Sequence, residues 1–363
     1  MVQSLTDSSK TKIIKQSITI EGREYFAEDI LNGLFGSIYQ GPNKNEIESF
    51  LLDWFNESDI IKIFTSGSTG KPKPINVRKY QMLKSAAITC NFFNLSKGDK
   101  ALLCMPLNFI AGKMMIVRAI VACLDLYIVE PTGHPLEKAY EDFDFISMVP
   151  MQVYNSLQVF SEKIKLKNVR NLLIGGGSIS NEIENELKDF PNKVFASYGM
   201  AETLTHIALR RVNGKYPSQS YTPLPSVKVS LSEENTLVIY APLVNDEVLI
   251  TNDIAEIKSD GSFMILGRKD NVIVSGGIKI QVEKLESILE NFIKVPFAIS
   301  SIPDPKFGEV VVLVIEKIID TTMLFDNLSL WEKPKKIILT KKIPLTESGK
   351  INRIELKKII NNQ

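Results

Sequence analysis

Apolar positions along this chain fall into two rhythms. Short runs at 101–105, 126–130, 145–149 and 170–174 are apolar almost throughout and end in turn or helix signals. Such runs predict strands buried on both faces, as in the sheet of an α/β fold. Residues 61–64 (IKIF) predict the end of another strand, and the stretch from Lys79 to Phe93 predicts a helix. Asn181 with Glu184 three positions on predicts a helix start over 181–189. Segments 236–240, 247–250 and 254–257 predict successive short β-strands. Residues 1–60 carry weak, mixed periodicity and read as a short lead-in.

After Gly267 the pattern changes. NVIVSGGIKI predicts strand, glycine turn, strand. VEKLESILENF places Val282, Leu285, Ile288, Leu289 and Phe292 at helical spacing. Strand patterns follow at 297–301 and 310–315. The expected architecture is a large α/β domain over 1–269 and a small α+β domain over 270–363, with the boundary near 268–271. The 363 residues suit two domains better than one core.

Composition narrows the class. Hydrophobic residues make up 44% and charged residues 23%, a globular profile. Net charge is +1, from 43 basic and 42 acidic residues, so no excess charge points to nucleic acid or an anionic membrane. A basic cluster near the C-terminus (Lys333, Lys335, Lys336, Lys341, Lys342, Lys350, Arg353) alternates with apolar residues and reads as a solvated face. Cys90, Cys104 and Cys123 are widely spaced and there are two histidines, so neither a zinc site nor a disulfide framework is expected. No signal core and no membrane-length apolar run are present, which leads to an expected cytoplasmic location.

Six strings carry chemistry. Thr65-Ser66-Gly67-Ser68-Thr69-Gly70-Lys71-Pro72-Lys73 follows a strand with two glycines and four hydroxyls, which could turn backbone and side-chain donors onto phosphate oxygens. It is not a Walker A loop, because the glycines are two residues apart and Pro72 follows Lys71. Gly175, Gly176 and Gly177 follow the strand VRNLLI and would let a planar ligand rest on bare backbone at a strand end. In Ser197-Tyr198-Gly199-Met200-Ala201-Glu202-Thr203, Glu202 could hold Mg²⁺ through one carboxylate and Tyr198 could stack on a base. Asp253, in Thr251-Asn252-Asp253, could accept from both hydroxyls of a ribose. Gly267-Arg268-Lys269-Asp270-Asn271 supplies Arg268 for a ribose or phosphate and is followed by Ser275-Gly276-Gly277. Lys350, in Pro344 to Arg353, could reach across an interface as a point charge. Taken alone, most of these strings read more readily as ordinary turns or surface segments, and the triple glycine reads equally well either way.

Together, and in this order, the six strings resemble the adenylate-forming superfamily of acyl-CoA synthetases, luciferases and peptide-synthetase adenylation domains. The resemblance runs from about residue 60 to the C-terminus. It implies an ATP-dependent acid–thiol ligase that makes an acyl-adenylate and then an acyl-CoA, using ATP, Mg²⁺ and coenzyme A. It implies that 65–73, including Lys73, holds the β- and γ-phosphates, and that Gly175 to Gly177 with Ser197, Tyr198 and Gly199 brackets adenine. Glu202 would ligate Mg²⁺, Asp253 and Arg268 would hold the ribose, and Asp270 would be the hinge. Lys350 would bridge the carboxylate and α-phosphate, and Gly276 and Gly277 would line the pantetheine tunnel.

A narrower resemblance lies in MPLNFIAGKMM at 105–115, VPMQV at 149–153 and THIA at 205–208. These look like o-succinylbenzoate–CoA ligases of menaquinone biosynthesis in their shorter bacterial form. The substrate would then carry a second carboxylate, with Lys113, Arg118 or Arg210 as its cation and Phe109 near the acyl group. Four departures stand out. Ala201 replaces a threonine whose bond to the α-phosphate is worth roughly 0.5–3 kcal/mol. Asn252 replaces a glycine, and Phe109 stands where histidine is frequent. About 64 residues precede the phosphate loop, so a reduced N-terminal subdomain is expected. Two other readings are open at this level: loading of a carrier-protein thiol, and a degenerate nucleotide-binding protein without turnover. A homo-oligomer is also open.

Overall fold

The computed structural model describes residues 16–64, 74–139, 141–321, 324–346 and 350–362. β1 (Ser17–Ile20) and β2 (Arg23–Phe26) form a hairpin, followed by helices α1 (Ala27–Leu31), α2 (Leu34–Ile38) and α3 (Lys44–Phe55). α3 buries Ile47, Phe50, Leu51, Trp54 and Phe55, the 3, 4, 7, 8 spacing of one helix face. These residues belong to the main core, so the expected lead-in is instead an integral part of the large domain from residue 16 onward. Its short elements are why periodicity was weak there.

β3 (Ile60–Phe64) pairs antiparallel with β4 (Pro74–Arg78), a strand the pattern did not predict, and the phosphate-loop string joins the two. α4 (Lys79–Phe93) matches its expected bounds. Then follow β5 (Lys100–Leu103), α5 (Ile110–Ala122), β6 (Asp125–Ile128), β7 (Phe145–Met148), α6 (Pro150–Gln158), α7 (Phe160–Asn168), β8 (Asn171–Ile174), α8 (Asn181–Leu187), β9 (Lys193–Gly199), β10 (His206–Arg211) and β11 (Thr222–Pro223). The nine-stranded sheet has the order β11-β10-β9-β8-β7-β5-β6-β1-β2. Its inner pairs β9-β8-β7-β5-β6-β1 are parallel. β7 and β8 are buried at every position, as their continuous apolar runs require.

A four-stranded antiparallel sheet follows: β12 (Lys228–Leu231), β13 (Thr236–Tyr240), β14 (Leu249–Ile257) and β15 (Phe263–Arg268). Segments 247–250 and 254–257, expected as two strands, merge into the single strand β14, which starts at Leu249. A register shift between Ile254 and Ala255 interrupts its pairing and hides its continuity from the pattern.

The small sheet contains β16 (Val272–Ser275), β17 (Ile278–Gln281), β18 (Phe297–Asp304), β19 (Gly308–Ile315) and β20 (Lys336–Leu339), with helices α9 (Val282–Leu289) and α10 (Arg353–Asn361). Alternation along β19 sends Val311, Leu313 and Ile315 to the face covered by α9, and Val312 and Val314 to the face covered by α10. The main core ends with Phe263, and the core between α9 and the small sheet begins with Ile273. No helix among the described residues is long and apolar enough to cross a membrane.

Candidate active site

Sheet order places the site. β5 has β6 on one side and β7 on the other, both parallel to it. The chain therefore builds outward in opposite directions from β5, and such switch points open a crevice at the carboxyl ends of the strands. Around that edge lie Met105–Phe109 after β5, Gly175–Gly177 after β8 and Gly199–Glu202 after β9.

The glycines there have specific causes. A Cβ on Gly175 would lie 2.4 Å from Ser197 Oγ, which donates to the Ile174 carbonyl oxygen at 3.2 Å. Gly176 has φ +81°, which disfavours other residues. A Cβ on Gly199 would meet the Thr205 carbonyl oxygen at 2.0 Å, so only glycine permits β9 and β10 to approach there. The following 3-10 turn presents Glu202. The turn is tied by Thr203, whose fully buried hydroxyl donates to the Thr205 carbonyl at 2.7 Å and accepts from Met200 N–H at 3.0 Å. Asn245 Nδ2 donates to the Glu202 carbonyl at 2.8 Å. Among the described residues no side chain pairs with the Glu202 carboxylate, and no three metal-ligating side chains cluster. A single free carboxylate fits a Mg²⁺ ion that takes its remaining oxygens from a nucleotide and water.

A polar chain crosses from β9 to the end of β15. Tyr198 Oη donates to Asp253 Oδ2 at 2.6 Å, and Arg268 bonds Asp253 Oδ1 at 3.0 Å and Asp270 Oδ2 at 2.8 Å. Asn252 Nδ2 also reaches Asp270, at 3.4 Å. The Tyr198 ring packs edge-on to Phe263, with centroids 5.3 Å apart. Burial and the Asp253 carboxylate hold its phenol protonated at all ordinary pH. Lys350, 80 residues beyond Asp270 in sequence, comes within electrostatic reach of this chain. Burial and the Arg268 cation lower its ammonium below the ordinary lysine value, and Asp253 opposes them. Arg353 thus leaves the solvated face expected for the basic cluster, whereas Lys350 stays exposed while its ammonium feels this chain. Arg353 is clamped by Glu286 at 2.6 and 2.8 Å and donates to the Ile299 carbonyl at 2.8 Å.

The three candidate cations for a second carboxylate differ sharply. Arg210 is buried and bonded to Glu184, with its other arm on the Ser218 carbonyl at 3.1 Å. Lys113 lies over the Phe50 ring at 4.9 Å and feels Asp53. Arg118 is 2% exposed, has no carboxylate partner among the described residues, and leaves Nε unbonded. Its Nη1 rests on the Met115 thioether sulfur at 3.5 Å. Burial pushes its guanidinium down to about 10, slightly offset by the Cys90 thiol.

His206, which the sequence reading quoted but gave no role, stands beside it. Burial first, and Arg118 second, push its imidazole down to about 3. Thr89 Oγ1 gives its proton to the Ser85 carbonyl at 3.1 Å, so His206 Nε2 is the donor in the 3.2 Å bond between them. Ser85 Oγ in turn bonds Thr205 Oγ1 at 2.9 Å. Phe109 is half-buried at the start of α5.

Thr65, Ser66, Gly67, Ser68, Thr69, Gly70 and Lys73 lie outside the described residues, as do Glu347, Ser348 and Gly349. Gly276 and Gly277 form the turn between β16 and β17. A Cβ on Gly276 would lie 2.6 Å from the Trp331 ring, whereas Gly277 faces open space. Thr203, Asn245, His206 and Trp331 were not assigned roles from sequence. Only a weak signal was available for them: Asn245, His206 and Trp331 act through contacts distant in sequence, and the local bonds of Thr203 are not announced by its residue type.

Comparison with known proteins identifies the family and the fold. Residues 27–253 match the family model described as AMP-binding enzyme. The chain is 25% identical over 346 residues to 2-succinylbenzoate–CoA ligase of Listeria monocytogenes, spanning 85% of this chain and 72% of that one. It is 23% identical over 378 residues to the Bacillus mycoides enzyme of the same name, spanning 94% and 78%. Among solved structures, the acyl-CoA synthetase (AMP-forming)/AMP-acid ligase II-like protein from Dyadobacter fermentans is 32% identical, with TM-score 0.61, covering 89% of this chain and 95% of that one. The Bacillus subtilis o-succinylbenzoate coenzyme A synthetase in complex with ATP and magnesium ion is 22% identical, with TM-score 0.68, covering 82% and 69%; it supports the fold.

Proposed function

The chain belongs to the AMP-binding enzyme family and is an AMP-forming acid–CoA ligase that uses ATP, Mg²⁺ and CoA; from that premise we propose that its acid is o-succinylbenzoate. The observation that carries the proposal is Arg118, a buried cation with no carboxylate partner among the described residues, on the helix that follows the central strand. An uncompensated buried charge is costly, and an anionic substrate group would relieve it. Arg210 already has Glu184 and Lys113 is packed on Phe50, so Arg118 is the cation assigned to the second carboxylate. The curated relatives carry the same activity in their names.

In this reading the small domain spans 270–363 and pivots at Asp270. Asp253 accepts from the ribose hydroxyls, and Arg268 orients that carboxylate. Glu202 holds the Mg²⁺ ion, which when bound withdraws negative charge from the phosphates. Gly175 to Gly177 leave bare backbone beside the base, and the loop 65–73 takes the β- and γ-phosphates. The succinyl carboxylate attacks the α-phosphorus, a meeting of two anions, and Lys350 offsets the charge that develops between them. Pyrophosphate leaves. The CoA thiol then attacks the acyl carbon of the mixed anhydride past the open turn at Gly277, AMP leaves, and the thioester forms.

The test is pyrophosphate release and CoA-thioester formation with o-succinylbenzoate, benzoate and short and medium fatty acids. The expected result is preference for o-succinylbenzoate in both. A better monoacid would overturn the substrate, and no release with any acid would overturn turnover itself.

A further inference from the structure

We propose that Glu283 is a positioning residue that holds the small domain in the orientation bringing Lys350 to Asp253 and Arg268. The inference rests on the adenylation role proposed above for Lys350.

Glu283 lies in the first turn of α9, on the small-domain side of Asp270, yet it grips the last strand of the large domain. Its Oε2 accepts from the backbone N–H of Arg268 at 3.3 Å, and its Oε1 accepts from Asn271 Nδ2 at 2.5 Å. The carboxylate lies against Gly267, where a Cβ would stand 2.7 Å from Oε2 and 2.7 Å from Gln281 Oε1. β15 pairs Arg268 with Asp253 and Gly267 with Ile254. Glu283 therefore holds the backbone of the same residue whose side chain carries Asp253.

From Glu283 the contacts continue to Lys350. One turn along α9, Glu286 takes both arms of the Arg353 guanidinium at 2.8 and 2.6 Å. Arg353 is three residues from Lys350 and follows the bridge between Leu345 and Ile351. A fork-to-fork arginine–carboxylate pair is stiff, so the segment bearing Lys350 moves with α9. Rotation about Asp270 leaves the Asn271–Glu283 and Glu286–Arg353 bonds intact, because both partners of each lie beyond the pivot. It breaks the Arg268–Glu283 bond, which spans the pivot. Glu283 thus adds free energy to one orientation and nothing to the other, which is the requirement for biasing a two-state element.

The experiment compares wild type, Glu283→Gln and Glu283→Ala in separated half-reactions. Loss of one hydrogen bond to a charged group predicts that Glu283→Ala lowers the adenylation rate, read as ATP–pyrophosphate exchange at saturating substrates, by about 10-fold. The Gln variant, with one amide oxygen remaining, falls between. Thioester formation from supplied acyl-adenylate stays level or accelerates. A proportional loss in both half-reactions, or no change in either, would overturn the proposal. A second arm needs no substrate. Cys123 is the exposed cysteine, while Cys90 and Cys104 are buried. Spin labels on Cys123 and on Lys335→Cys report the inter-domain distance, and Glu283→Ala should broaden or shift its distribution. An unchanged distribution would also overturn the latch. If wild type exchanges no pyrophosphate with any acid, the functional reading fails, and the distance arm still decides the role of Glu283.

Discussion

Arg268 and Arg118 are the cations proposed for opposite ends of the site, and they show two ways of holding charge. Arg268 is about one-third exposed and already satisfied by Asp253 and Asp270. Arg118 is almost wholly buried and faces a thioether instead of a carboxylate. The proposed nucleotide edge is therefore complete in itself, a network that a ribose would join without rescuing any buried charge. In the proposed reading Arg118 belongs to the acyl wall, where it has no carboxylate partner among the described residues and a substrate anion would supply one. On that proposal one end of the site is preorganised, and the other stores a penalty that the substrate would remove.

The largest effect should come from the nucleotide edge. Lys350→Ala is expected to lower adenylation by about 10²–10³-fold, the scale of losing one preorganised charge partner in a transition state. Thioester formation from supplied acyl-adenylate should persist. Equal loss of both steps in rapid-quench measurements would mean that Lys350 does not belong to one half-reaction only.

Arg118→Met tests the acyl wall. kcat/KM for o-succinylbenzoate should fall by about 30-fold or more, since truncating one partner of a buried charge pair costs about 2–5 kcal/mol. The free protein should be as stable as wild type or more so, because an unpaired buried charge has been removed. A clear drop in Tm would show that Arg118 has internal compensation and would dissolve the contrast with Arg268.

The smallest effect concerns His206. Its folded imidazole stays neutral down to about pH 3, against an ordinary value of 6.5. Between those values the unfolded chain binds the extra proton, so stability is lost as pH falls below about 6.5. At pH 5 the loss is roughly 2 kcal/mol. Chemical denaturation from pH 7 to 5 should show that slope, and His206→Gln should flatten it. An unchanged slope in the variant would assign the acid sensitivity to other groups.

Much of this was legible beforehand. The helix Lys79–Phe93 and the strand Thr236–Tyr240 have their expected bounds because their patterns end in clear signals. The region 16–64 was not legible, since its hairpin and two five-residue helices are too short to repeat any period, and their burial depends on β1 pairing with β6. β14 was divided in two by a register shift that only its partners reveal. The site strings were visible as glycine and hydroxyl clusters. Which of Lys113, Arg118 and Arg210 is unpaired was not visible, because Glu184 is 26 residues from Arg210.

The sequence alone determined the alternation of buried strands and amphipathic helices, the glycine turns and the order of the chemical strings. These are local properties, set by side-chain period and backbone freedom over a few residues. Tertiary structure decided which charges are spent. Lys350 comes within electrostatic reach of Asp253 and Arg268 across 97 and 82 residues because the small domain docks on β15, and Arg118 has no carboxylate partner among the described residues because its helix is buried among apolar and sulfur-bearing neighbours. Desolvation and charge pairing depend on distance in space, and a linear sequence does not contain that distance.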